Sequence, residues 1–305
     1  METCTHVIRS SPAVCLALLL VVAGCTVNET GRNVVISTPT VSALSRPAVI
    51  FIGHRGAAGE APENTLAAFQ RGLDAGVDAV ELDVHLSQDD QLVVIHDPRL
   101  ERTSDGTGTV RDLTFAEIRR VNAAAKFKGA IDYCAQRIPT LQEVHDLIGA
   151  RTKIHIEIKL DARGNRYPGI EQKVVDVVRR NNAVANTTIG SFDLPTLQEI
   201  QRLEPQLQRV AYISTAYLGK KGMQSQGPNE IAAELIAAGA QGVGVEKSYL
   251  AKPLITALKQ AGLMVGAWTV DDFVEMWNLI DLGVDSITTN RPNLLIEKYR
   301  QGRNK

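Results

Sequence analysis

The body of this chain has almost no cysteine, no bias toward either sign of charge and no apolar run long enough to cross a bilayer. Each shortage removes a class of protein. Cys4, Cys15 and Cys25 fall within the first 25 residues, and only Cys134 lies beyond them. If the first two leave with a leader and the third is acylated, no disulfide is expected within the mature chain, and the core must supply the stability. Lys and Arg number 33 against 34 Asp and Glu, a net charge of −1. Such a balance gives no broad attraction for nucleic acid, so none is expected as a partner, and any anionic ligand must be held locally. No glycine-rich dinucleotide fingerprint follows the first apolar run of the body.

The longest apolar run, 13–23, follows Arg9 and is short for a folded membrane span but right for the core of a secretory signal. It ends in Val22-Ala23-Gly24-Cys25, which resembles the lipobox of bacterial lipoproteins. That resemblance implies a signal peptide over 1–24, a lipidated Cys25 and a polar, Ser/Thr-rich tether over 25–46. Two or three acyl chains, each buried CH₂ contributing about 0.8 kcal/mol, would anchor the protein stably to a membrane. The expected location is the bacterial cell envelope, facing the periplasm or exterior, and the outer membrane where the cell has two.

From residue 47 to 305, short apolar runs alternate with amphipathic stretches. Strands are predicted at 48–53, 79–84, 154–159, 187–192, 209–214, 242–246, 264–270 and 286–290, with helical spacing between most of them. Eight such units predict an α/β fold, a (β/α)₈ TIM barrel. The run 91–97, "QLVVIHD", follows 79–84 too closely for a parallel crossover. It is predicted to be antiparallel, turning at Asp89-Asp90 and bringing His96 back to the level of Asp83. The turn-rich stretch 98–137 then reads as a small insertion after this hairpin, a lid or substrate wall.

Alternation along strands puts Glu81 with Asp83 on one face, and His155, Glu157 and Lys159 on another. Barrel active sites form at the C-terminal strand ends, where His54, Arg55, Glu81, Asp83, Glu157, Lys159, Glu246, Trp268 and Asn290 all fall. Three inward acids suit a hard cation, Ca²⁺ or Mg²⁺, although ion pairing to Arg55 or Lys159 would also account for them. Gly53 and the run "GAAG" keep a ligand's approach uncrowded. "PENT" starts a helix capped by Thr65 or Asn64, and Glu63 is placed to orient Arg55 or His54.

The ordered motifs "HRG", "APENT", Glu81 and Asp83, "HD", "RIPTLQEV", "IEIK", "SF", "WTV" and "TNRP" resemble those of the glycerophosphodiester phosphodiesterase family, from 48 to the end. The resemblance implies a barrel of the phosphatidylinositol-phospholipase-C type that hydrolyses glycerophosphodiesters to sn-glycerol 3-phosphate and an alcohol. It also implies His54 and His96 as catalytic acid and base, a divalent cation on Glu81, Asp83 and Glu157, and Arg55 and Lys159 toward phosphate. Trp268 and Phe192 would form an aromatic wall for substrate, with a core role as the alternative for each. His155 and His145 read as structural, while Glu246 and Asn290 take no role. No obligate protein partner is expected. Two other readings stand beside this one. The first is a phospholipase D-like activity on lysophospholipids or sphingomyelin, whose toxin relatives carry a loop disulfide that this chain has no cysteines to make. The second is a non-catalytic glycerophosphate-binding envelope lipoprotein.

Overall fold

In a computed structural model, which describes residues 48–129, 133–220 and 226–303, the apolar runs form β1 (Ile50–Gly53), β2 (Ala79–Leu86), β3 (Leu92–Val94), β4 (Lys153–Ile158), β5 (Thr187–Ser191), β6 (Gln208–Ile213), β7 (Gly242–Glu246), β8 (Met264–Trp268) and β9 (Ser286–Thr289). All but β3 are parallel, and β1 pairs with both β2 and β9, so these strands close into a barrel. β3 lies antiparallel on β2, Val84 opposite Val94 and Leu86 opposite Leu92, as the short 79–97 spacing requires. Asp90 takes the turn with a φ of 58°. The predicted 91–97 strand is cut to three residues, yet Ile95 N still donates to Asp83 O at 3.0 Å, which fixes the next residue, His96, at the barrel mouth.

The helices are α1 (Leu66–Ala75), α2 (Phe115–Ile118), α3 (Leu141–Ile148), α4 (Ile170–Arg180), α5 (Leu194–Leu203), α6 (Thr215–Lys220), α7 (Pro228–Ala237), α8 (Lys252–Gln260), α9 (Phe273–Leu282) and α10 (Pro292–Arg303). α4, α6 and α10 were not anticipated. For α4 the signal was present: Ile170, Val174, Val175 and Val178 recur at helical spacing, and all four are buried against the barrel. Residues 98–137 carry α2 and a hydrophobic cluster of their own, with Leu100, Val110, Ile118 and Ala123 packed on Val93 and Ile95 of the hairpin. Tyr133 O–H donates to the Glu60 carbonyl at 3.2 Å and so ties this segment to the β1–α1 loop.

The interior below the mouth is unusual for a barrel. Inward positions on β7 and β8 are Gly242, Gly244 and Gly266, where branched side chains ordinarily fill the core. A cavity of ≈ 560 Å³ remains at the N-terminal end, bounded by Tyr212, His155, Thr188 and Thr288. The leader, Cys25 and the tether lie outside the described residues. Among the described residues no helix is long and apolar enough to cross a membrane.

Candidate active site

The opening loop is shaped by close backbone contact. A Cβ on Gly53 would lie 2.1 Å from Gly56 O, and one on Gly56, whose φ is +86°, would lie 2.5 Å from Ala68 C. The loop therefore folds flat onto α1, and Gly56 N reaches Glu81 O at 3.1 Å. Arg55, with a φ of 48°, turns its own N–H to Glu81 Oε2 at 2.7 Å. Thr65 caps α1 through Ala68 N, which settles the choice of cap. Asn64 instead donates from Nδ2 to Asp83 Oδ2 at 2.8 Å.

Glu81, Asp83 and Glu157 are buried, and one ligand atom from each lies within 4.8 Å of the others. Register explains the grouping, since Asp83 stands opposite Glu157 in the β2–β4 pair. Burial first, then the charges of Asp83 and Glu157, push the Glu81 carboxyl well above its ordinary range. Asp83 is held low despite burial, by Lys159, His96 and Arg55. Lys159 Nζ lies 2.5 Å from Glu157 Oε1 and 3.0 Å from Asp83 Oδ1, and Arg55 Nε lies 3.6 Å from Asp83 Oδ2. Both cations expected to face phosphate are thus paired with acids here. Asp83 Oδ1 nonetheless receives no hydrogen bond of adequate geometry. Three crowded carboxylates, one with an unfilled oxygen and one driven toward its protonated form, fit a hard divalent cation.

Each mouth histidine is fixed through Nδ1. His54 Nδ1 lies 2.7 Å from Asn290 Oδ1, while Asn290 Nδ2 donates to Asp271 Oδ2 at 2.7 Å. Asp271 accepts only, so it sets the amide's orientation, and Asn290 Oδ1 must accept from His54 Nδ1–H; Nε2 is left bare. Burial, then Arg55, lower the His54 pKa to about 4. His96 Nδ1 lies 2.6 Å from Asp97 Oδ1, and the His96 carbonyl accepts from His85 Nε2 at 3.0 Å.

Arg55 Nη1 donates to Glu63 Oε1 at 2.8 Å, so Glu63 orients Arg55 rather than meeting the acids. Glu63 also accepts both terminal nitrogens of Arg102, at 2.8 and 2.7 Å. A groove of ≈ 290 Å³ opens beside it, lined by Glu63, Arg102, Lys126 and Phe127. Trp268 and Phe192 meet edge to face with centroids 5.7 Å apart, and Tyr212 packs on both. Burial, then Glu81, Glu157 and Asp83, raise the Tyr212 pKa well above its usual value, so its phenol stays neutral beside the acids.

His155 lies a layer below Asp83, opposite Glu81, and His145 is buried on α3; neither joins the group. Glu246 accepts from Thr215 N at the start of α6 and from Ser248 Oγ in its own turn. Sequence reasoning missed His85, Asp97, Arg102, Tyr212 and Asp271, and left Asn290 without a role. Only Asp97, inside the "HD" pair, carried a local signal.

Residues 54–294 match the model of the glycerophosphoryl diester phosphodiesterase family. A glycerophosphodiester phosphodiesterase of Caldanaerobacter subterraneus subsp. tengcongensis is 35% identical over 256 residues, 83% of this chain and 98% of that protein. One of Bacillus subtilis is 30% identical, covering 85% and 89%. An Oleispira antarctica phosphodiesterase, solved with its product sn-glycerol-3-phosphate, superposes with a TM-score of 0.69 at 26% identity, covering 82% of this chain and 96% of that one. With the barrel closed and the motif residues gathered at its mouth, this chain belongs to the glycerophosphoryl diester phosphodiesterase family and is a phosphoric diester hydrolase.

Proposed function

We propose that the protein hydrolyses glycerophosphodiesters to sn-glycerol 3-phosphate and an alcohol, using His54 and His96 for proton transfer. One observation carries this reading: two histidines with fixed Nδ1 contacts flank a buried carboxylate trio at the barrel mouth. The product held by the Oleispira antarctica relative supports the choice of substrate.

Arg55 and Lys159, paired with the acids in the free site, would turn to the phosphoryl oxygens, Arg55 with a planar fork and Lys159 as a point charge. His54 Nε2, bare and neutral at pH 7, removes the proton from the neighbouring glycerol hydroxyl as that oxygen attacks phosphorus. His96 protonates the departing alcohol oxygen. Water then opens the cyclic phosphate with the two roles reversed, His96 taking its proton and His54 returning one to the glycerol oxygen. Glu81, Asp83 and Glu157 would hold Ca²⁺ or Mg²⁺, whose chemistry is to neutralise developing phosphoryl charge. Phe192 and Trp268 provide an apolar wall for the glycerol carbons, and Glu63 keeps Arg55 in place.

At the amino end we infer cleavage before Cys25, acylation of its thiol and anchorage to an envelope membrane. The residue pattern 13–25 supports this.

Release of choline from glycerophosphocholine and from lysophosphatidylcholine, with and without chelator, tests the reading. Turnover of the first alone, lost on chelation and restored by Ca²⁺ or Mg²⁺, is expected; full activity in excess chelator would refute the cation. The lysophosphatidylcholine arm decides the phospholipase D-like alternative. A glycol diester lacking the neighbouring hydroxyl should not turn over. Its hydrolysis at the glycerophosphocholine rate would replace the cyclic route with direct attack by water.

A further inference from the structure

Charges alternate around one side of the mouth in the order Arg55, Glu63, Arg102, Asp97, and His96 follows. Arg102 comes from the insertion and forks both ways. Its Nη1 and Nη2 donate to the two Glu63 oxygens at 2.8 and 2.7 Å, while Nε and Nη2 donate to the two Asp97 oxygens at 2.6 and 3.0 Å. Asp97 Oδ1 in turn meets His96 Nδ1 at 2.6 Å. We propose that Arg102 is a positioning residue for His96: anchored on Glu63, it holds the plane of the Asp97 carboxylate so that His96 presents Nε2 to the leaving-group oxygen. This rests on the hydrolytic reading above, with His96 as the first-step acid.

Asp97 is the residue next to His96 and sits at the start of an irregular loop, where a carboxylate free to rotate would share its hydrogen bond with water. A guanidinium that occupies one lone pair on each Asp97 oxygen removes that rotation. Only arginine can do so while also pairing both oxygens of Glu63, because its donors are fixed in one plane. The Arg102 side chain is 45% exposed. Solvent screening keeps the direct contribution of such pairs to stability small. The arrangement therefore matters chiefly for geometry, and its loss should appear in catalysis rather than in folding.

A structural tie between insertion and barrel would affect every substrate alike, whereas positioning of the acid matters only when the leaving group needs a proton. The test compares kcat/KM for alcohol release from glycerophosphocholine and from the p-nitrophenyl diester of glycerol phosphate, whose nitrophenolate departs unprotonated. Arg102→Ala should lower the first on the order of 10 to 100-fold, the usual range for removing a group that orients a reacting ligand, and change the second by less than about threefold, within the scatter of single contacts. Arg102→Lys, which keeps charge without the fork, should recover only part of the loss. Added guanidinium ion should restore the Ala variant. Equal losses on both diesters, or no loss on glycerophosphocholine, would overturn the proposal. If Arg102→Ala does not fold, Arg102→Gln carries the same comparison. Wild-type enzyme that releases no choline would instead reject the hydrolytic reading itself.

Discussion

At the scale of single residues, catalysis in this site depends on which nitrogen of each imidazole carries the proton. His54 takes its tautomer from Asn290, 236 positions away, and Asn290 takes its orientation from Asp271. Replacing His54 or His96 by Asn should lower kcat by on the order of 10² to 10⁴, as loss of a general acid or base does. Asp271→Asn allows the Asn290 amide to flip and His54 to adopt the other tautomer. Steady-state kinetics should show a kcat loss of about 10 to 100-fold with KM little changed; a change confined to KM would mean that Asp271 serves binding. The acids and His54 were legible because each ends or lines a strand with a characteristic motif. Asn290 was not, since nothing local links it to a histidine at the other end of the chain.

At the scale of elements, the β1–α1 loop is where backbone packing and chemistry meet. Gly56 combines a left-handed φ of +86° with a Cβ position 2.5 Å from Ala68 C, whereas Gly164 shares the conformation, φ +81°, in open space. Gly164→Ala should cost about 1 to 2 kcal/mol, the left-handed conformational term alone. Gly56→Ala should cost more, because overpacking adds about 1 to 3 kcal/mol. Thermal denaturation checks the pair, at roughly 2 to 4 °C per kcal/mol for a domain of this size, and equal shifts would contradict the clash. The β2–β3 hairpin shows how far pattern reading reaches. A short spacing after an apolar run was enough to predict an antiparallel return, since a parallel crossover cannot be made in so few residues. The insertion's own core, formed when Leu100 and Ile118 pack on Val93 and Ile95, had no such period to read.

At the scale of the whole molecule, the buried acids and imidazoles set how the protein responds to its medium. Burial lowers the pKa of His145 on α3, whose Nε2 has no hydrogen-bond partner. The unfolded chain therefore takes up a proton near pH 6.5 before the folded one does, so stability is full above that value and declines as pH falls through it. His145→Leu should remove one part of the pH dependence of the unfolding midpoint between about pH 7 and 5, the rest coming from His54, His85 and His155, whose pKa values burial also lowers; an unchanged slope would assign it wholly to those groups. Ca²⁺ or Mg²⁺ at saturating concentration should raise the midpoint through linkage to the native state, and chelator should reverse the rise. At the amino end, labelled fatty acid should enter the wild-type protein and not Cys25→Ser. Failure to label wild type would reject the anchor.

The sequence by itself determined the barrel, its return hairpin and the acids and histidines at its mouth. These follow from hydrophobic period, connection length and strand alternation, all of which are local. Only the tertiary structure decided the partners of those residues: Asn64 on Asp83, Asp271 behind Asn290, and Arg102 between Glu63 and Asp97. Such pairings join loops far apart in the chain, and which donor reaches which acceptor within 3 Å is set by barrel closure and by how the insertion packs.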